Sequence, residues 1–163
     1  MSDQFPFKVK IANENRNLII SIQGFIDKNF FNFAAELSKL SPKFDKIIFE
    51  LAELTHIDSS GIKEWIRMIE SVKPTPITLK HCPVFFINQL NMVDGMLTFN
   101  TQVESCFVPY FNEELDKEIS MLVPVVKSDS YLGTVQSQIE RDGVVYDLDV
   151  VKEKYFKFLR IKN

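Results

Sequence analysis

The first 26 residues alternate between apolar and polar side chains in a way that predicts two β-strands. Apolar residues occupy every second position over residues 5–11, from Phe5 to Ile11, with two lysines among the residues between them. A polar stretch follows at residues 13–17, and residues 18–22 resume the alternation. Alternation with a period of two is typical of a strand with one buried face, and two such runs around a polar turn are typical of a hairpin. The chain therefore begins with a predicted pair of strands.

Helical spacing replaces this alternation after residue 29. Apolar side chains recur on one face over residues 30–40, and a Ser-Pro pair ends the run. A second amphipathic helix is predicted at residues 62–72, where Trp65 lies on the apolar face and Glu64 lies among the outward polar residues. A third, shorter helix is predicted at residues 83–91, because Pro83 suits a first helical position.

Short apolar runs separate these helices and predict further strands at residues 47–51, 77–79 and 103–110. The run at 47–51 is rich in branched side chains and predicts a central strand buried on both faces. The order over residues 1–105 is then β-β-α-β-α-β-α-β. Helical crossovers favour parallel neighbours, so we predict an α/β domain with a mixed, mostly parallel sheet and helices packed on one side.

Residues 106–163 are predicted to form a small, β-rich C-terminal appendage. Residues 119–127 are β-like, and an Arg-Asp-Gly turn at residues 141–143 predicts a hairpin. The apolar residues at 155–159 fit one face of a short terminal helix. A unit this small needs support, so we expect it to pack on the main domain.

Composition and charge narrow the class of protein. The chain has 163 residues with 45% hydrophobic and 25% charged side chains, which is typical of a globular protein rather than a disordered one. Its net charge of −3 argues against a general nucleic-acid binder. No run approaches the ~20 apolar residues of a membrane-spanning helix, and residues 1–4 lack the features of a signal peptide. We expect a cytoplasmic protein without membrane insertion or direct nucleic-acid contact.

Candidate catalytic and metal-binding residues are few. Cys82 and Cys106 form no Cys-x-x-Cys pair, and only His56 and His81 could join them as ligands. We therefore predict no metal site and interpret the cysteines as reduced, partly buried thiols. Paired carboxylates, a Ser-His-Asp set and a Gly-rich phosphate loop are also missing from the sequence. The sequence therefore predicts neither an enzyme nor a bound cofactor.

The polar junction at residues 57–61, Ile-Asp-Ser-Ser-Gly, is the strongest candidate for function. It precedes the second helix, whose first N–H groups are unpaired and lie at the positive end of the helix dipole. A serine hydroxyl there, beside a carboxylate, can accept a phosphoryl group that the backbone then solvates. The alternative is that Ser59 or Ser60 only caps the helix. Three residues beyond them stand Ile62 and Lys63 instead of the Glu or Gln of a capping box, which slightly favours phosphorylation.

The Asp-Ser-Ser-Gly sequence at residues 58–61 resembles the phosphorylation loop of STAS domains, the family of anti-sigma-factor antagonists and sulfate-transporter tails. A second match is Gly-Phe-Ile-Asp at residues 24–27, where that family often has Gly-x-Leu/Ile-Asp. Together with the order of elements, the resemblance covers residues 5–105. The C-terminal appendage resembles the small zinc ribbon of some bacterial STAS-like chains, here without its ligand cysteines.

The resemblance implies a role for each residue of the loop. Ser59 is the implied phosphoacceptor, because in that family the modified hydroxyl directly follows the Asp. Asp27, Asp58, Ser60 and Gly61 are the implied loop and partner-binding residues. The implied partner is a serine-kinase anti-sigma factor or a similar switch kinase, which brings the ATP and is released when Ser59 is phosphorylated. The protein would then act in bacterial signal transduction and transcription regulation by partner switching.

Simpler interpretations of the same residues stay open. Asp58 is also an ordinary turn residue, Gly61 also allows a close backbone approach, and Asp27 also precedes a helix as an N-cap neighbour does. Two other functions stay open as well. One is a STAS adaptor of a transporter or sensory complex without phosphorylation. The other is a sensor for a nucleotide or lipid, which the 15 phenylalanines suggest.

Overall fold

The computed structural model describes residues 6–128 and 131–160, which form two β-sheets with short and long helices around them. Phe5, the first apolar residue of the predicted first strand, lies outside the described residues. The first sheet and its helices comprise β1 (Phe7–Glu14), β2 (Asn17–Ile26), α1 (Phe30–Leu40), β3 (Lys46–Glu50), β4 (Leu54–Ile57), α2 (Ser59–Ser71), β5 (Ile77–Lys80), α3 (Val84–Met92) and β6 (Thr101–Val103).

The first sheet is mostly parallel. Its strands run in the order β1-β2-β3-β5-β6, and β4 pairs with the end of β2. β1 is antiparallel to β2, whereas the pairings of β2 with β3 and β4, of β3 with β5 and of β5 with β6 are parallel. The predicted α/β class with a mixed, mostly parallel sheet is confirmed.

Trp65 of α2 shows that the three long helices share one face of this sheet. Its ring lies against Phe30 of α1, Phe86 of α3 and Phe49 of β3, at centroid distances of 6.3, 5.1 and 5.2 Å. Its indole Nε1 donates a hydrogen bond of 3.2 Å to the carbonyl oxygen of Met96. The indole is fully buried, so the predicted core role of Trp65 is confirmed.

The opposite face of the sheet is only partly covered, which corrects the prediction for residues 47–51. Ile47 and Phe49 are fully buried, but Ile48 and Glu50, which point to the other face, are half-buried. Apolar residues on both faces of a strand are fully buried only when a second layer packs on the sheet. Here the helices form a single layer, and the expectation of double burial was wrong.

Strand β4 is absent from the predicted order of elements. Leu54, His56 and Ile57 pair in parallel with residues 24–26 of β2, and a β-bulge shifts the register after the first of these pairs. Thr55 and His56 in its middle are both exposed, so the segment has neither an alternating nor a continuous apolar pattern. The order of the first sheet is therefore β-β-α-β-β-α-β-α-β.

The second sheet contains antiparallel strands in the order β8-β7-β10-β9. Its elements are β7 (Ser105–Asn112), β8 (Lys117–Pro124), α4 (Tyr131–Thr134), β9 (Gln138–Arg141), β10 (Val144–Leu148) and α5 (Lys152–Tyr155), followed by a 3₁₀ turn (Lys157–Arg160). The hairpin predicted at residues 141–143 joins β9 to β10. Asp142 and Gly143 have positive φ angles of 53° and 76°, as the two central residues of a type I′ turn require.

The single strand predicted at residues 103–110 is two strands that belong to different sheets. Glu104 lies between them. Its N–H donates to the carbonyl oxygen of Leu79 in the first sheet, and its own carbonyl oxygen accepts from the N–H of Val125 after β8, both at 2.8 Å. The apolar pattern continues across this residue, so the sequence alone does not reveal the change of sheet.

Asn91 of α3 connects the two parts of the chain. Its Nδ2 donates to the carbonyl oxygen of Tyr155 at 2.7 Å, and its Oδ1 accepts from the N–H of Phe158 at 2.9 Å. One hydrophobic core runs through both sheets around this contact. The division into a domain of residues 1–105 and an appendage of residues 106–163 stays a prediction.

The two cysteines lie at the junction of the sheets. Cys82 and Cys106 form an isolated parallel β-bridge and are both fully buried as free thiols. Burial raises the pKa of both thiols, that of Cys106 to about 12. Both therefore stay protonated at neutral pH and pack as small apolar side chains.

We predict that Asn91→Ala lowers the free energy of unfolding by about 2 kcal/mol, because the partly buried carbonyl oxygen of Tyr155 and N–H of Phe158 lose the partner that Asn91 supplies. Denaturant unfolding followed by Trp65 fluorescence measures the change. Asn32→Ala, at an exposed position of α1, is the matched control and should be close to neutral. Equal effects of the two substitutions would contradict the role given to Asn91.

Candidate functional site

The candidate site forms where β2 and β4 end side by side. Ile26 of β2 is paired with Ile57 of β4, and the next residues, Asp27 and Asp58, start the loops into α1 and α2. The N–H of Asp58 donates to the carbonyl oxygen of Ile26 at 3.2 Å. The two motifs that were singled out in the sequence are therefore neighbours at one edge of the sheet, as parallel pairing requires.

Asp58 is the N-cap of α2. Its Oδ1 accepts from the N–H of Gly61 and from the hydroxyl of Ser60, each at 2.7 Å, and its carbonyl oxygen accepts from the N–H of Ile62 at 2.8 Å. The alternative that Ser59 or Ser60 caps the helix was wrong. The hydrogen bonds from Ser60 and Gly61 lower the pKa of the Asp58 carboxyl, so the group is ionised at neutral pH.

The two serines of the junction differ in accessibility. Ser60 is half-buried, and its hydroxyl is held by Asp58. Ser59 is the first residue of α2 and is exposed, and its hydroxyl has no hydrogen-bond partner among residues 6–128 and 131–160. Of these two hydroxyls, only that of Ser59 is free to approach a second molecule.

Gly61 allows α2 to begin directly against the end of β2. A Cβ atom at this position would lie 2.2 Å from the carbonyl oxygen of Ile26, far inside van der Waals contact. The interpretation of Gly61 as a site of close backbone approach is therefore confirmed. Its predicted part in partner binding stays a prediction.

Asp27 shapes the start of α1. Its Oδ1 accepts from the N–H of Asn29 at 2.8 Å and its Oδ2 from the side-chain amide of the same residue at 2.9 Å. Its carbonyl oxygen accepts from the N–H of Phe30 at 3.1 Å. These bonds are those of a residue that organises a helix start, in line with the simpler interpretation, and partner binding by Asp27 stays a prediction.

Aromatic side chains beside the loop were missed by the sequence analysis. His56 lies 5.0 Å from Phe25 and 6.3 Å from Phe85, measured between ring centroids. Phe31, in the first turn of α1, is 55% exposed. His56 belongs to β4. The local sequence contains no signal for this grouping, because the three ring-contacting residues come from three elements.

Glu64 of α2 is buried, contrary to the outward position predicted for it. Only 8% of the residue is exposed. Its Oε1 accepts from Arg67 at 2.6 Å, whereas its Oε2 has no hydrogen-bond donor within the described part of the chain. Helical periodicity places Glu64 and Ser60 on the same flank, which is a further difference between Ser60 and Ser59.

Other groups that could carry chemistry are engaged elsewhere. His81 Nδ1 lies 2.6 Å from Glu50 Oε2, on the face of the sheet without helices. Over residues 6–128 and 131–160, no group of three His, Cys, Asp or Glu side chains could hold a metal ion. No helix in the same residues is long and apolar enough to cross a bilayer.

Comparison with protein-family models and with curated protein sequences found no match. The chain is similar to several solved structures. One is a STAS-domain anti-sigma-factor antagonist from Rhodobacter sphaeroides, with 13% identity, a TM-score of 0.37, and coverage of 45% of this chain and 82% of that one. A second is the anti-sigma factor antagonist SpoIIAA in its unphosphorylated form, with 18% identity, a TM-score of 0.38, and coverage of 45% and 71%. A third is an anti-sigma factor antagonist from Mycobacterium paratuberculosis, with 15% identity, a TM-score of 0.41, and coverage of 50% and 73%.

We predict that Gly61→Ala destabilises the protein by about 3 kcal/mol, because the new methyl group overlaps a backbone carbonyl that cannot move without disturbing β2. Denaturant unfolding measures the loss. Gly133→Ala is the matched control, since a Cβ atom there would meet no atom within 4 Å. A neutral Gly61→Ala would show that α2 can shift away from β2.

The stability that Asp58 contributes should depend on pH. Its pKa in the folded protein is lowered, so the contribution is complete above the pKa of the unfolded chain and is lost as the pH falls through the folded pKa. Between about pH 5 and pH 2 we expect wild type to lose more stability than Asp58→Asn, because asparagine caps a helix without titrating. Urea unfolding at a series of pH values gives the free energy of unfolding of both proteins. An equal loss of stability in the two proteins over this range would contradict the prediction.

Proposed function

We propose that this protein is a phosphorylation-gated protein-interaction module of the anti-sigma-factor-antagonist kind, with Ser59 as the phosphoacceptor. The observation that carries the proposal is the difference between the two serines of the loop. Ser59 presents an exposed, unbonded hydroxyl at the start of α2, while the hydroxyl of Ser60 is held by the ionised Asp58. A kinase that approaches this edge of the sheet therefore meets one available nucleophile.

The position of Ser59 also suits the product of phosphorylation. In the reaction, Oγ of Ser59 bonds to the γ-phosphorus of ATP held by the kinase, ADP leaves, and the hydroxyl proton passes to a base of the kinase. The new group carries roughly −1.5 to −2 charges at pH 7. At the first position of a helix these charges lie near the backbone N–H groups of the first turn and the positive end of the helix dipole.

The same charges explain how modification would release a partner. The phosphoryl group would lie next to Asp58 and close to the loop of Asp27. A partner surface that binds these carboxylates would then be repelled by the added negative charge and would have to bury a dianion. Phe31, exposed at the start of α1, is a large apolar side chain that a partner surface could cover. ATP and the catalytic groups belong to the partner, which the sequence resemblance suggests is a serine-kinase anti-sigma factor or a similar switch kinase.

We predict that Ser59→Ala abolishes phosphate incorporation by the cognate kinase and that Ser60→Ala, the matched control, retains it. Radiolabelled ATP or intact-mass measurement gives the readout. Incorporation into Ser59→Ala at the wild-type level would overturn the assignment of the site. If wild type takes up no phosphate and binds its partner as well as Ser59→Asp does, the protein is better described as an adaptor without phosphorylation.

A further inference from the structure

The charged residues of α2 are paired with one exception. Glu64 pairs with Arg67 at 2.6 Å, and Glu70 pairs with Lys73 at 2.8 Å. Lys63 is exposed and has no carboxylate within hydrogen-bond distance in the described residues. The positions three and four residues away from it along the helix carry Ser59, Ser60, Ile66 and Arg67, none of which is acidic.

The N-terminal part of α2 supplies no negative charge to this cation. Lys63 is the fifth residue of α2, near the end where the helix dipole favours negative charge, and the first turn of α2 contains no acidic side chain. When a lysine pairs with an acidic residue along a helix, a negative residue four positions before the lysine gives the better orientation of the pair. In α2 that position is occupied by Ser59.

We propose that Lys63 is the counter-ion of phosphorylated Ser59. Residues four apart on a helix lie on the same face with Cβ atoms about 6 Å apart, within reach of a phosphoryl group and a lysine Nζ. Both side chains are exposed, so the pair can form without any rearrangement of the core. The inference rests on the proposed function, because it requires that Ser59 is the modified residue.

Neighbouring charged groups are less suited to this role. Asp58 is negative and is engaged in the helix cap, and Asp27 is engaged by Asn29. Lys28 is an exposed cation that precedes α1, and His56 is an exposed ring on β4. The first turn of α3 contributes only apolar side chains near His56. Lys28 and His56 are therefore the competing side chains that an experiment has to test.

Pairing of Lys63 with the phosphoryl group would let phosphorylation weaken partner binding in two ways. In the unmodified protein Lys63 is free to meet a carboxylate of the partner, and after phosphorylation its charge is neutralised within the chain. A partner surface would then lose an attraction at Lys63 as well as meet a repulsion at Ser59. Modification thus changes the charge pattern of a whole face of α2.

The test uses full-length protein in which phosphoserine is incorporated at position 59 during translation, so that no kinase is needed. Phosphorus NMR titration measures the second pKa of the phosphate in this chain and in the same chain with Lys63→Gln. We expect this pKa to rise by ~0.3 when Lys63 is removed, because a nearby cation favours the dianion. Lys63→Arg should restore the lower value.

Lys28→Gln and His56→Gln are the matched controls and should leave the phosphate pKa within error of the parent. An unchanged pKa in Lys63→Gln, or a larger change in either control, would overturn the pairing. Failure of the pairing is distinguishable from failure of the proposed function. The titration does not depend on a kinase, whereas the proposed function fails if the kinase does not modify Ser59.

Discussion

The site depends on the contact between the end of β2 and the first turn of α2. Gly61 lies against the carbonyl oxygen of Ile26, and the N–H of Asp58 donates to the same oxygen. Because no side chain separates the first turn of α2 from the end of β2, the loop after β4 lies directly against the loop after β2. The positions of Asp27, Asp58 and the two serines follow from this one backbone approach.

This contact lies between the tightly packed middle of α2 and its accessible first turn. Further along α2, Trp65 is enclosed by aromatic rings from α1, α3 and β3, so the helix as a whole has little freedom to move. At its first turn, Asp58 holds one serine and leaves the other exposed. A single carboxylate therefore caps the helix and also distinguishes Ser59 from Ser60, because its Oδ1 accepts both hydrogen bonds.

Most of the fold and part of the site could be predicted from the sequence. The α/β class, the long helices and the Asp142–Gly143 turn follow from local periodicity and from residues with special backbone preferences. Strand β4 could not be predicted, because it is held by pairing with β2 rather than by an apolar pattern. The burial of Glu64 also could not be predicted, since an acidic residue among the polar positions of an amphipathic helix indicates an exposed face, and tertiary packing decides whether it is covered.

By itself the sequence determined the order of the main elements, the junction at residues 57–61 and the presence of a hydroxyl beside a carboxylate at a helix start. Only the tertiary structure decided which residue caps α2, which serine is free and that the loop of Asp27 lies next to that of Asp58. The physical reason is that capping and exposure are set by atoms brought together from β2, β4 and α2. Local periodicity reports one face of one segment and contains no information about which segments meet there.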